Sequence, residues 1–131
     1  MRAYTVATTA LALGIPAKHL DNTLSHFHVP GVSQSRQGVS RKLTPHAILI
    51  LAITLTLTRE LGVPMKLALD FATRLAEQEG ATNARLTIAS EISLEMNVAD
   101  VRRDTDERLA HAVEVTPTPR RGRPPRTRAT S

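Results

Sequence analysis

The stretch Leu13-Gly14-Ile15-Pro16-Ala17-Lys18-His19-Leu20-Asp21-Asn22-Thr23-Leu24-Ser25-His26-Phe27 decides how the chain is read. Before it, residues 5–13 read as a short helix. Thr5 is a side-chain cap, and Val6, Ala10 and Leu13 recur at helical spacing. Gly14 stands where a helix stops. After the Gly14-Ile15-Pro16 turn, Leu20, Leu24 and Phe27 repeat at i, i+4, i+7, so a second helix with one buried stripe runs to about Phe27. Lys18, Asp21, Asn22 and Ser25 then face the other way. Two short helices joined by a tight glycine turn are a helix-turn-helix candidate.

Residues 29–43 change character. Val29-Pro30-Gly31 breaks the helix, and Gln37-Gly38 can turn a hairpin between two short extended arms. The segment carries Arg36, Arg41 and Lys42 and no acid, so it can lie along phosphates; a plain solvated loop fits the same residues. Thr44-Pro45 starts a third helix that runs to Leu61 with Gly62 closing it. The alternation in Ile53-Thr-Leu-Thr-Leu-Thr58 also allows a strand, but the start signal and the length favour helix. Val63-Pro64 opens a fourth helix, expected to reach about Glu79, with Leu67, Phe71 and Leu75 on its core side.

From Arg85 to Met96 the period becomes two, with Leu86, Ile88, Ile92, Leu94 and Met96 on one side. This is one long strand or two short ones. A strand needs a ladder partner, and the basic hairpin is the one other extended segment expected here. The same strand of a second copy is therefore the expected partner, which argues for a homodimer through residues 85–115. Asn97 caps a last helix. Its stripe of Val98, Val101, Thr105, Leu109 and Ala112 suits packing on the strand or on a partner helix. On its outer face, Arg103–Glu107 and Asp104–Arg108 are spaced for ion pairs. From Thr116 the chain is rich in Pro, Arg and Thr and is expected to be disordered.

Composition narrows the function. The chain has 131 residues, no cysteine, and three aromatics, Tyr4, Phe27 and Phe71. Stacking platforms for single strands, disulfides and thiolate chemistry are thereby excluded. The longest apolar run, Ala47 to Ile53, is too short for a membrane span. The expected location is cytoplasmic, at the nucleoid. The net charge of +5 divides into +3 for residues 1–80, −3 for 81–116 and +5 for 117–131. The tail holds five Arg and no acid, which suits a polyanion. His19, His26 and His28 lack a cysteine or carboxylate cluster, so no metal site is read here. There is no glycine-rich phosphate loop, paired catalytic carboxylate or serine–histidine–aspartate arrangement. No catalytic residue, no cofactor and no enzyme activity are expected.

From Tyr4 to Ala76 the residues resemble the DNA-binding domain of MerR-like winged helix-turn-helix proteins. The likeness rests on Tyr4-Thr5-Val6, Leu13-Gly14-Ile15, Lys18 with Leu20, the run Gly38, Arg41, Lys42, Leu43, Thr44, and Arg59-Glu60-Leu61-Gly62-Val63-Pro64. Asp21 departs from it, standing where the family often has a basic residue, as does Asn22-Thr23, where aromatics are common. The family's long coiled coil is missing. The resemblance implies that the second helix enters the major groove, offering Ala17, Lys18, Asp21, Asn22, Thr23 and Ser25, with Asn22 suited to a bidentate contact on adenine. Arg36, Arg41 and Lys42 form the wing. In the tail, Arg121-Gly122-Arg123-Pro124 looks like an AT-hook core, with Arg120 and Arg126 beside it on phosphates.

The resulting expectation is a mainly α chain with a small β component (α+β). Residues 1–80 form a winged helix-turn-helix domain and 81–116 a strand–helix dimerisation element using Leu86, Ile88, Ile92, Leu94, Met96, Val101 and Leu109. Residues 117–131 form the basic tail. The expected partner is double-stranded DNA, bound by a dimeric transcriptional regulator, with no membrane. The rival readings are an excisionase-like or nucleoid-type DNA-architecture factor, and a protein-interaction scaffold without specific DNA binding.

Overall fold

A computed structural model describes residues 2–33 and 41–115. The fold is α+β, mainly helical with two small antiparallel sheets. The first strand, β1 (Tyr4–Thr5), leads into α1 (Val6–Leu13). Thr5 caps α1, its Oγ1 accepting from the Thr8 amide at 3.1 Å. Gly14 closes the helix at φ 74, a left-handed backbone that glycine adopts without a Cβ clash. Helix α2 (Ala17–His26) follows after Pro16, anchored by buried Leu20 and Leu24.

Strands β2 (Val32–Ser33) and β3 (Lys42–Leu43) are the arms of the expected hairpin, paired Val32 to Leu43 and Ser33 to Lys42. The Gln37-Gly38 turn and Arg36 lie outside the described residues. On its other side β3 pairs with β1, Tyr4 opposite Leu43, giving the order β1-β3-β2. The start of the chain thus ties the ribbon to α1.

Helix α3 (Pro45–Leu61) is the centre of the molecule. Ile48, Leu49, Ile50, Ile53 and Leu57 are all buried, because α4, α5 and the first sheet pack around it. Covered so widely, it has no clean polar face, which is why residues 53–58 mimic a strand. The threonines there satisfy their own hydroxyls within the helix: Thr54 donates to the Ile50 carbonyl at 2.7 Å and Thr56 to that of Ala52 at 3.0 Å. Helix α4 (Met65–Ala76) ends earlier than expected. Residues 77–80 instead make turns, with Gln78 N–H bonded to the Leu75 carbonyl at 3.0 Å. Phe71 and Leu75 are buried, but Leu67 is 45% exposed and does not face the core.

Residues 85–96 contain two strands, β4 (Ala84–Ala89) and β5 (Ile92–Met96), and they pair with each other. This corrects the ladder argument for a dimer, since the missing partner lies in the same chain, across a two-residue turn. The turn, Ser90-Glu91, has neither the glycine nor the asparagine that usually marks a two-residue hairpin loop. The Gln78 side-chain amide further clamps the strand, donating to the Arg85 carbonyl at 2.9 Å and accepting from its N–H at 3.2 Å. Helix α5 (Val98–Val115) is capped by Asn97, whose Oδ1 accepts from the Asp100 amide at 2.9 Å. Its stripe packs on α1 and α3 of its own chain, with Val98, Thr105, Leu109 and Ala112 buried. Asp104 pairs with Arg108 as spaced, but Arg103 bonds Asp100 rather than Glu107.

A polar tie joins the two halves of the sequence. The Arg102 guanidinium on α5 bonds Glu79 and donates to the Pro45 carbonyl at 3.1 Å, while His46 stands 3.6 Å from the same carboxylate. The Arg102 hydrogen bond holds the Glu79 carboxyl below its ordinary value of 4.5, against a smaller opposing effect of burial. A depressed folded-state value means stability that is present above about pH 4.5 and lost as pH falls through the lower folded value. With Glu79 41% exposed, the contribution is screened to about 1 kcal/mol or less. Glu79→Gln should therefore lower the urea midpoint slightly at pH 7, by an amount that shrinks as pH falls below about 4.5. A loss that does not change with pH would show that the ion pair is not its source.

Candidate nucleic-acid interface

The burial of Leu20 and Leu24 turns the rest of α2 outward. Ala17, Lys18, Asp21, Asn22 and Ser25 are exposed, and Thr23 is half-buried. The row is locally ordered by its own backbone. Thr23 donates to the His19 carbonyl at 3.1 Å and Ser25 to that of Asp21 at 3.0 Å, while His26 Nδ1 lies 2.8 Å from the Asn22 carbonyl. Two of the hydroxyls expected to reach DNA are thus already bonded as donors, though each oxygen can still accept. The side chains of Lys18 and Asn22 make no hydrogen bond or ion pair among the described residues.

The β2–β3 ribbon stands beside this helix. Arg41, the residue before β3, sends Nη1 to Asp21 Oδ1 at 2.6 Å and Nη2 to Ser25 Oγ at 3.3 Å. Its side chain is 19% exposed, against 54% for Asp21. One guanidinium therefore clips the ribbon to the exposed face of α2, and a charge expected to be free for phosphate is engaged inside the chain. Nothing in the spacing of two residues twenty apart announced this pairing; their opposite charge was the available signal. Lys42 is exposed on β3 between Thr5 and Ser33. The described part of the face thus presents Lys18 and Lys42 as unpaired cations and Asp21–Arg41 as a neutral pair.

Arg36 and the tail residues Arg120, Arg121, Gly122, Arg123, Pro124 and Arg126 lie outside the described residues. Beneath α2 the void lined by Leu13, Ile15 and Leu20 measures about 10 Å³, too small for an organic ligand. Among the described residues no three His, Cys, Asp or Glu side chains gather as metal ligands, and no helix is long and apolar enough to cross a membrane.

Of the residues expected at a dimer contact, Leu86 and Leu109 are buried within the chain, and Leu94, Met96 and Val101 are half-buried. Ile88 and Ile92, at the tip of the β4–β5 hairpin, remain 41% and 59% exposed. In comparison with known proteins, no family model and no curated protein matches the chain.

Proposed function

We propose that the chain is a sequence-specific double-stranded DNA-binding protein of the winged helix-turn-helix kind, acting as a transcriptional regulator. The observation that carries this reading is the juxtaposition of an exposed polar helix face, Ala17 to Ser25, with a two-stranded ribbon bearing Arg41 and Lys42. A short helix of this diameter fits the major groove, and the ribbon then meets the neighbouring phosphates. Lys18 and Lys42 supply cations, Asn22 supplies a donor–acceptor pair matched to adenine, and the basic tail adds attraction.

Gel shifts and footprints over a salt series, with the full chain and a chain ending at Val115, test the reading. A protected site and a steep fall of affinity with salt are expected, with a shallower slope after truncation. Binding without salt dependence, or none, would defeat it and favour the scaffold reading. Asp21→Asn is an informative variant. It frees Arg41 for a phosphate and removes a carboxylate from the face, so affinity should rise about tenfold and the salt slope should steepen by about one. Unchanged binding would mean that this face does not meet DNA.

A regulator reading an inverted repeat needs two heads. We place their contact at the hairpin tips, where Ile88 and Ile92 are uncovered. Two isoleucines offer on the order of 200 Å² per copy, far below the roughly 800 Å² per partner of a stable interface. The pair should therefore assemble on DNA rather than in free solution. Ile88→Asp with Ile92→Asp should leave sedimentation of the free protein unchanged and abolish cooperative filling of the two half-sites. Cooperative filling by the double variant would move the contact elsewhere, and adjacent direct-repeat protection would favour the architectural reading.

A further inference from the structure

A groove of about 320 Å³ runs along the contact between α1 and α5. Ala12, Ala112 and the 50% exposed Leu11 give it an apolar floor. Asp104, Glu107, Arg108 and His111 complete the lining. Arg108 is taken by Asp104 at 3.1 Å. Glu107 has no cationic partner among the described residues, and neither has Glu114, two turns further along α5. The uncompensated charge on this wall is therefore negative. Residues 98–115 as a whole hold five carboxylates and three guanidiniums.

We propose that this groove is the docking site of the chain's own C-terminal segment, residues 116–131. Charge selects it: residues 116–131 carry five Arg and no acid, and the trough on α5 is apolar with an unpaired carboxylate edge. Reach allows it. Glu107 lies eight residues back from Val115, about 12 Å at the helical rise. Arg120 and Arg121 lie five and six residues beyond Val115, about 16–20 Å of extended chain, enough to turn and return. The arginine stems can cover Leu11 while their guanidiniums meet Glu107. A tether this short keeps the segment at an effective concentration near the millimolar range, so a weak contact suffices.

The same arginines are the ones offered to DNA, so the α5 face competes with DNA for them. That consequence rests on the proposed function; the docking itself does not. The chain has no cysteine, so Thr127→Cys carries a single nitroxide, and its effect on backbone amides can be read without DNA. Signal loss should centre on Leu11, Ala12, Glu107 and His111. It should vanish in Glu107→Arg, an exposed-site variant, and at ~0.5 M salt, where screening is nearly complete. Uniform or absent signal loss would overturn the proposal, as would loss that survives Glu107→Arg. Loss on an isotope-labelled chain mixed with a separate nitroxide-bearing chain would overturn it too, by making the contact intermolecular. In gel shifts Glu107→Arg should raise the affinity of the full chain about threefold or more, and leave the chain ending at Val115 less affected. Absence of all DNA binding would end the proposed function and leave the nitroxide result to decide docking.

Discussion

Replacing Gly31 by Ala should cost about 2 kcal/mol of stability or more, the sum of a strained backbone and a broken helix cap. Gly31 has φ 93, where an L side chain is strained by about 1 kcal/mol or more. A Cβ there would stand 2.3 Å from Thr44 Oγ1 and 3.0 Å from the Ala47 Cβ. Thr44 Oγ1 cannot simply swing away. It accepts from the Ala47 amide at 3.2 Å as the cap of α3, and losing that bond costs about 1 kcal/mol. The Thr44 amide in turn donates to the Gly31 carbonyl at 3.0 Å, so the two segments are held face to face. Gly14→Ala is the natural control. Gly14 also has positive φ, but nothing lies within 4 Å of a Cβ there, so strain alone of about 1 kcal/mol is expected. Urea denaturation of both variants separates the terms. Equal losses would show that the approach of residue 31 to the α3 cap does not matter. Because Gly31 leads directly into β2, Gly31→Ala should also loosen the ribbon and, on the proposed DNA-binding reading, weaken DNA binding more than its stability loss explains.

On the proposed DNA-binding reading, Asn22→Ala should carry the largest effect on recognition. Asn22 sits mid-row on α2, exposed, and its backbone carbonyl, not its side chain, faces His26. Alanine therefore leaves the helix intact and slightly favours it. A bidentate amide–adenine contact is worth about 1–3 kcal/mol of discrimination, so preference at one base position should fall by roughly tenfold or more. Affinity for unrelated duplexes should hardly change, because phosphate contacts carry it. A selection from randomised duplexes reads this directly. An unaltered sequence preference would remove Asn22 from the recognition surface, and a uniform loss on all duplexes would assign it to backbone contact.

Much of the local structure was written in short spacings. Thr5 and Thr44 as caps, Gly14 and Gly62 as stops, and the Leu20–Leu24 stripe each act within one or two helical turns, so neighbouring residues determine them. The exposed face of α2 follows from that stripe, which is why Lys18, Asp21, Asn22 and Ser25 could be placed on one side before any packing was known. The hairpin at 84–96 shows where this stops. Period-two alternation identifies extended chain, but Ser90-Glu91 carries no turn signature, so the sequence alone points to a partner strand in another molecule. Leu67 fails for a related reason, since helical spacing marks a stripe but not how far a neighbour covers it.

What the chain's own residues determined is the set of helices, the ends of α1 and α3, and the polar row on α2, because caps, glycine stops and apolar periodicity are contacts between near neighbours. The Arg41–Asp21 clip, the third strand that ties Tyr4 to Leu43, the Glu79–Arg102 tie and the seat of α5 on α1 and α3 were decided by the tertiary structure. Those contacts span roughly twenty to a hundred residues, and opposite charge or an apolar stripe names a class of partner without naming which one. Packing chooses it, by bringing one pair within bonding distance and covering one face.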